Sequence, residues 1–132
     1  MRFALLVQAD PTSSPAALSA LRFAEAAVAS EHAVSCVFFQ GDGVQLGQAF
    51  RSPPKDEAQL PARWAAVAAE GAFPLYLCAA SALRRGVLDA GEAMRQGLEA
   101  ASLAPPFELA GLATFLSEAQ SADRLLTFGV SL

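Results

Sequence analysis

The chain has 132 residues, enough for one domain with a substantial core. With 54% hydrophobic and 17% charged residues it is a compact folded chain, not a disordered one. Its net charge is −4, and its basic residues, eight arginines and one lysine, form no stripe, which argues against direct nucleic-acid binding by this chain alone.

The run "RFALLV" after Met1 predicts a first strand of the continuous apolar kind found in parallel sheets. It is too short for a signal-peptide core, and no later run approaches a membrane span, so the expected location is the cytoplasm. Two cysteines there are expected to be free thiols. In "DPTSSPAALSALRFAEAAVASE" the Ser and Pro residues mark a helix start, and Ala17, Leu18, Leu21, Ala24 and Val28 recur at helical spacing. "AVSCVFF" predicts a second strand, and "QGDGVQLGQAFRSPP" a loop punctuated by Gly and Pro. "KDEAQLPARWAAVAAEG" predicts a second helix despite Pro61, with Asp56 and Glu57 near its start and Gly71 just past its end. "FPLYLC" predicts a third strand, "AASALRRG" a short helix and "AGEAMRQGLEAA" another. "ELAGLATFLSEAQSA" predicts one last long helix, and "DRLLTFG" a last strand. This alternation implies one α/β domain over residues 1–132, with a mainly parallel central sheet covered on both faces.

In open α/β sheets, reactive groups collect at the carboxyl ends of strands. Cys78 is at such an end, directly before a helix whose dipole and free N–H groups favour a thiolate, and Arg84 and Arg85 add positive charge nearby. Position alone leaves packing and chemistry both open for it. Cys36, in mid-strand beside Val37 and Phe38, reads as a structural thiol. Cys78 and Arg84 also match the C-x5-R spacing of cysteine phosphatases. The intervening "AASAL" holds good helix formers and no glycine. In a helix, Arg84 would lie roughly 240° around and about 9 Å along from Cys78, too divergent to clasp one phosphate.

Other candidates read more plainly. Gly41, Gly43 and Gly47 match a dinucleotide fingerprint only loosely, with no helix following, and are expected to be turn-formers in a mobile loop. His32 stands alone, and no spacing suggests a metal or cofactor site. Asp89, Glu92 and Arg95 fit a helix cap with a local ion pair better than an acid–base pair. Trp64 is expected in packing or an interface.

Nearly the whole chain resembles the TusD/DsrE family of sulfur-relay proteins. The likeness rests on "MRFALLV", "FAEAAVASEHAVSCVFFQGDGV", "SPPKDEAQLPARW", "FELAGLATFLSEAQSADRLLTFG" and above all "LCAASALRRGVLDAGEAMRQG". One departure is Gln40–Gly41 after Phe38 and Phe39, where the family often has an aromatic residue. The resemblance implies a cytoplasmic subunit with a flavodoxin-like three-layer fold. It implies that Cys78 accepts a sulfane sulfur as a persulfide and needs neither metal nor cofactor. It also implies a heterohexamer with TusB- and TusC-like (or DsrF- and DsrH-like) subunits, a TusA-like donor and a TusE-like acceptor. The sulfur is then destined for 2-thiouridine in tRNA or, in the DsrE branch, for oxidation of stored sulfur. A non-catalytic scaffold subunit of the same assembly, with Cys78 inert, is the alternative of a different class.

Overall fold

Five parallel strands form one sheet, seen in a computed structural model that describes residues 1–129. The run after Met1 becomes β1, Arg2–Val7, and "AVSCVFF" becomes β2, Ala33–Phe39, both at the expected places. Helix α1, Pro15–Ala29, joins them. The Ser14 side chain accepts from the Ala16 N–H at its cap, and Pro15 occupies the first turn, where a missing N–H costs nothing. Its buried face is Ala17, Ala20, Leu21, Ala24 and Ala27, small enough for close contact with the sheet.

Between β2 and the next helix the first half of the expected loop is regular: Gly41–Gly47 form a 3-10 helix with Gly43, Val44, Leu46 and Gly47 buried, while the residues after it stay irregular as expected. The glycines serve close approach there. A Cβ on Gly43 would lie 2.3 Å from the Val7 carbonyl oxygen, and one on Gly47 would lie 2.5 Å from Leu77 Cδ1. Helix α2 spans Leu60–Gly71, starting later than the acidic Asp56 and Glu57, because Pro61 is accommodated only in a first turn. Ala72, not Gly71, takes the left-handed conformation that ends it, with φ 53°. Gly71 is needed for space instead, since its Cβ would meet Phe73 and Val28 within 3 Å.

Strand β3 is Leu75–Cys78, beginning after Pro74, and runs straight into α3, Ala79–Arg84. Helix α4 is Ala90–Arg95. The expected last long helix is divided: Glu108–Ala110 form strand β4, Gly111 caps, and α5 covers only Leu112–Gln120. Strand β5 is Arg124–Phe128.

The strand order is 4-3-2-1-5. The chain builds outward from β1 to β4, then crosses back to set β5 on the free side of β1. The layering is the three-layer flavodoxin-like one, although flavodoxin itself orders its strands 2-1-3-4-5. Phe38 and Phe39 point to opposite faces and anchor both layers. Phe39 meets Trp64 of α2 edge-on at 5.4 Å, and Phe38 stacks on Phe115 of α5 at 4.7 Å. Trp64 is thus a core residue, 1% exposed. On α1, Phe23 packs edge-on against Phe3 at 5.1 Å. The α5 side is the thinner layer, and Leu112, Leu116 and Leu125 are left about half exposed there.

Candidate functional site

Three strands end side by side at the carboxyl edge. β1 is followed by Gln8 and β2 by Gln40, and the Gln8 side-chain amide donates to Gln40 Oε1 at 3.1 Å. β3 ends in Cys78 itself, which also occupies the cap position of α3. Alternation along β3 puts Cys78 on the α5 side with Tyr76, and the register pairs it with Ala110 of β4. Cys78 is 9% exposed.

Beside it, α3 is fastened to the 3-10 helix. Ser81 Oγ, buried, accepts from the Gly41 N–H at 3.0 Å. Arg85 donates from Nε to Asp42 Oδ1 at 3.0 Å and from Nη1 to the Ser81 carbonyl at 3.1 Å. Together these groups border a basin of about 490 Å³, open to solvent and lined by Gln8, Gln40, Gly41, Asp42, Ser81, Arg84 and Arg85. Arg84 is exposed at the end of α3, and among the described residues its guanidinium has no ion-pair partner. The two adjacent arginines thus have different surroundings. Asp42, Ser81, Gln8 and Gln40 carried no signal in the sequence, since each gains its place from a partner far along the chain.

The residues between Cys78 and Arg84 are helical, so they form no loop that could wrap a phosphate. Cys36 is fully buried on β2, and burial pushes its thiol up to about 11, against a smaller lowering by the Ser35 hydrogen bond. Because Val37 pairs with Leu75 and Phe39 with Leu77, Cys36 and Cys78 are four residue levels apart on neighbouring strands.

The remaining candidates are structural. Asp89 caps α4 by accepting from the Glu92 N–H at 2.8 Å, and Glu92 pairs with Arg95 at 2.8 Å. His32 is exposed, with Nδ1 3.2 Å from the terminal amine and its ring edge-on to Phe3. A second depression of about 400 Å³, lined by Pro11, Thr12, Arg51 and Pro61 among others, contains no cysteine. Among the described residues no three His, Cys, Asp or Glu side chains gather as metal ligands, and no helix is long and apolar enough to cross a membrane.

The model of the DsrE/DsrF-like family matches residues 1–128. A Pseudomonas aeruginosa protein named sulfurtransferase TusD homolog is 46% identical, over 98% of this chain and 98% of its own. A protein of Allochromatium vinosum that bears the name DsrE is 39% identical, over 98% of this chain and 99% of its own. Among solved structures, the YchN protein of E. coli has a TM-score of 0.76 at 20% identity, covering 97% of this chain and 99% of its own, a likeness of fold.

Proposed function

The chain belongs to the DsrE/DsrF-like family, and on that premise we propose that it is a sulfurtransferase subunit carrying sulfane sulfur as a persulfide on Cys78. The observation that carries this reading is the contrast between two thiols. Cys78 ends a strand at the edge where open α/β sheets place reactive groups, while Cys36 is sealed in the core with its thiol pushed up to about 11.

The chemistry needs little else. The Cys78 thiolate attacks the outer sulfur of a donor persulfide. The new S–S bond forms as the donor's breaks, and the donor cysteine leaves as a thiolate. In the second half an acceptor thiolate attacks the outer sulfur on Cys78, and Cys78 leaves as a thiolate. No net oxidant or reductant is consumed. The bonds that join Ser81 to Gly41 and Arg85 to Asp42 tie α3 to the 3-10 helix, fix the chain that follows Cys78 and so hold the nucleophile in one place.

The donor is TusA-like, the acceptor TusE-like, and the work is done in the cytoplasm within a heterohexamer that includes TusB- and TusC-like subunits. The half-exposed leucines on the α5 side offer apolar surface for such subunits to cover. The destination we favour is the 2-thiouridine of tRNA. The 39% identity to the DsrE protein supports a second destination for the same cargo, oxidation of stored sulfur.

Intact mass after incubation with a persulfidated donor tests the reading. The wild type, with its partner subunits, gains one sulfur atom that a reductant removes. Cys36→Ser gains it too, and Cys78→Ser does not, because a serine hydroxyl neither ionises near neutral pH nor forms a persulfide. Uptake by Cys78→Ser would overturn the assignment to Cys78, and no uptake by the wild type with its partner subunits would leave the scaffold role in its place. Loss of tRNA 2-thiouridine in a deletion strain separates the two destinations.

A further inference from the structure

The adjacent arginines after Cys78 divide their work. Arg85 is committed within the chain: Asp42 neutralises its charge at 3.0 Å, and its second bond goes to the Ser81 carbonyl. Arg84 is exposed, borders the same basin and is unpaired among the described residues. With the Asp42–Arg85 pair cancelling, the basin carries one net positive charge on a chain whose net charge is −4. A small-molecule site would bury most of its ligand. This basin is open and shallow, a shape suited to part of another protein's surface. From Cys78 the helical path puts the Arg84 Cα about 9 Å along the axis. Arg84 is also roughly 240° around the axis from Cys78, and Cys78 is not among the residues that line the basin, so Arg84 is placed for a neighbouring group of whatever brings the sulfur rather than for the reacting sulfur itself.

We propose that Arg84 is a docking residue that receives a carboxylate on the surface of the sulfur-delivering protein, while Arg85, held by Asp42, is a positioning residue for α3. This rests on the relay reading of Cys78 and names the chemistry of its partner's surface. An arginine suits the role because its planar fork takes a carboxylate with two hydrogen bonds.

The test follows sulfur uptake at Cys78 by intact mass across concentrations of a persulfidated TusA-like donor, at low and high salt. Arg84→Glu raises the donor concentration for half-maximal uptake roughly threefold to tenfold, the effect of turning an exposed attraction into a repulsion. Most of the loss falls in that concentration rather than in the saturated rate. Arg84→Lys recovers much of it. Salt weakens the wild type and relieves the variant, so the two curves converge. Arg124→Glu makes the same charge change at the start of β5, at the opposite end of the strands, and leaves the curve where it was. Equal effects of Arg84→Glu and Arg124→Glu overturn the assignment, as does a loss confined to the saturated rate. Absence of uptake by the wild type overturns the relay reading itself, and this inference with it.

Discussion

Brief treatment of the folded protein with iodoacetamide near neutral pH should label Cys78 and spare Cys36. Only the thiolate reacts, and burial moves the Cys36 thiol from 9.0 to about 11. At any pH well below both values this leaves about 100-fold less thiolate than an ordinary thiol holds. Access adds to the difference: Cys36 is 0% exposed, so reagent reaches it only when the sheet opens, whereas Cys78 has 9% of its surface free at the strand ends. Burial thus works against both the thiolate and the approach of reagent, and the raised thiol alone predicts a labelling ratio on the order of 100. Timed alkylation followed by digestion and peptide mass measures it, and the unfolded chain, in which both thiols are alike, supplies the reference. Labelling of Cys36 within tenfold of Cys78 under native conditions would refute the reasoning, because it would mean that the centre of β2 is open to solvent.

Stability should decline at high pH for the same reason. The folded state favours the neutral Cys36 thiol, so its contribution is full below about pH 9 and is lost as pH rises through about 11. The whole effect is about 2–3 kcal/mol, read by denaturant unfolding at stepped pH with reductant present, and Cys36→Ala flattens that stretch of the curve. Gly43→Ala should cost about 1–3 kcal/mol, lowering Tm by roughly 4–10 °C, because the Val7 backbone 2.3 Å away cannot yield. Gly41→Ala, with open space around it but φ at 57°, should cost only about 1 kcal/mol, so equal losses at the two glycines would contradict the close approach seen at Gly43. Asp89→Ala should lose about 1 kcal/mol through the α4 cap and leave sulfur uptake unchanged, and a collapse of uptake would give Asp89 a role in the chemistry.

Much of the molecule is legible in the sequence where one physical signal dominates. "RFALLV" and "AVSCVFF" are short runs dominated by apolar residues, and both become strands where expected. Cys78 ends its strand as expected, because "LYLC" changes abruptly into helix-forming "AASALR". Strand β4 escapes notice because "ELA" is three residues long, only partly buried and followed at once by a helical pattern. Its strand character comes from pairing with β3. The glycines after β2 read as loop because their purpose, letting the chain press against Val7 and Leu77, is visible only when β1 and β3 stand beside it. The difference between Arg84 and Arg85 is likewise invisible in "RRG", since it depends on Asp42, 43 residues earlier.

The four-level offset between Cys36 and Cys78 bears on how long cargo can be kept. Those levels amount to about 13 Å along the strands, well beyond the roughly 7 Å between Cα atoms that a disulfide can span. A persulfide with a second thiol in reach is short-lived: that thiol attacks the inner sulfur, a disulfide closes, and the outer sulfur escapes as hydrogen sulfide. With its other thiol locked at that distance, this chain has no internal route to that leak. On the proposed relay reading, a sulfur held on Cys78 therefore waits for an outside thiol, and the time of its release is set by the arrival of the acceptor.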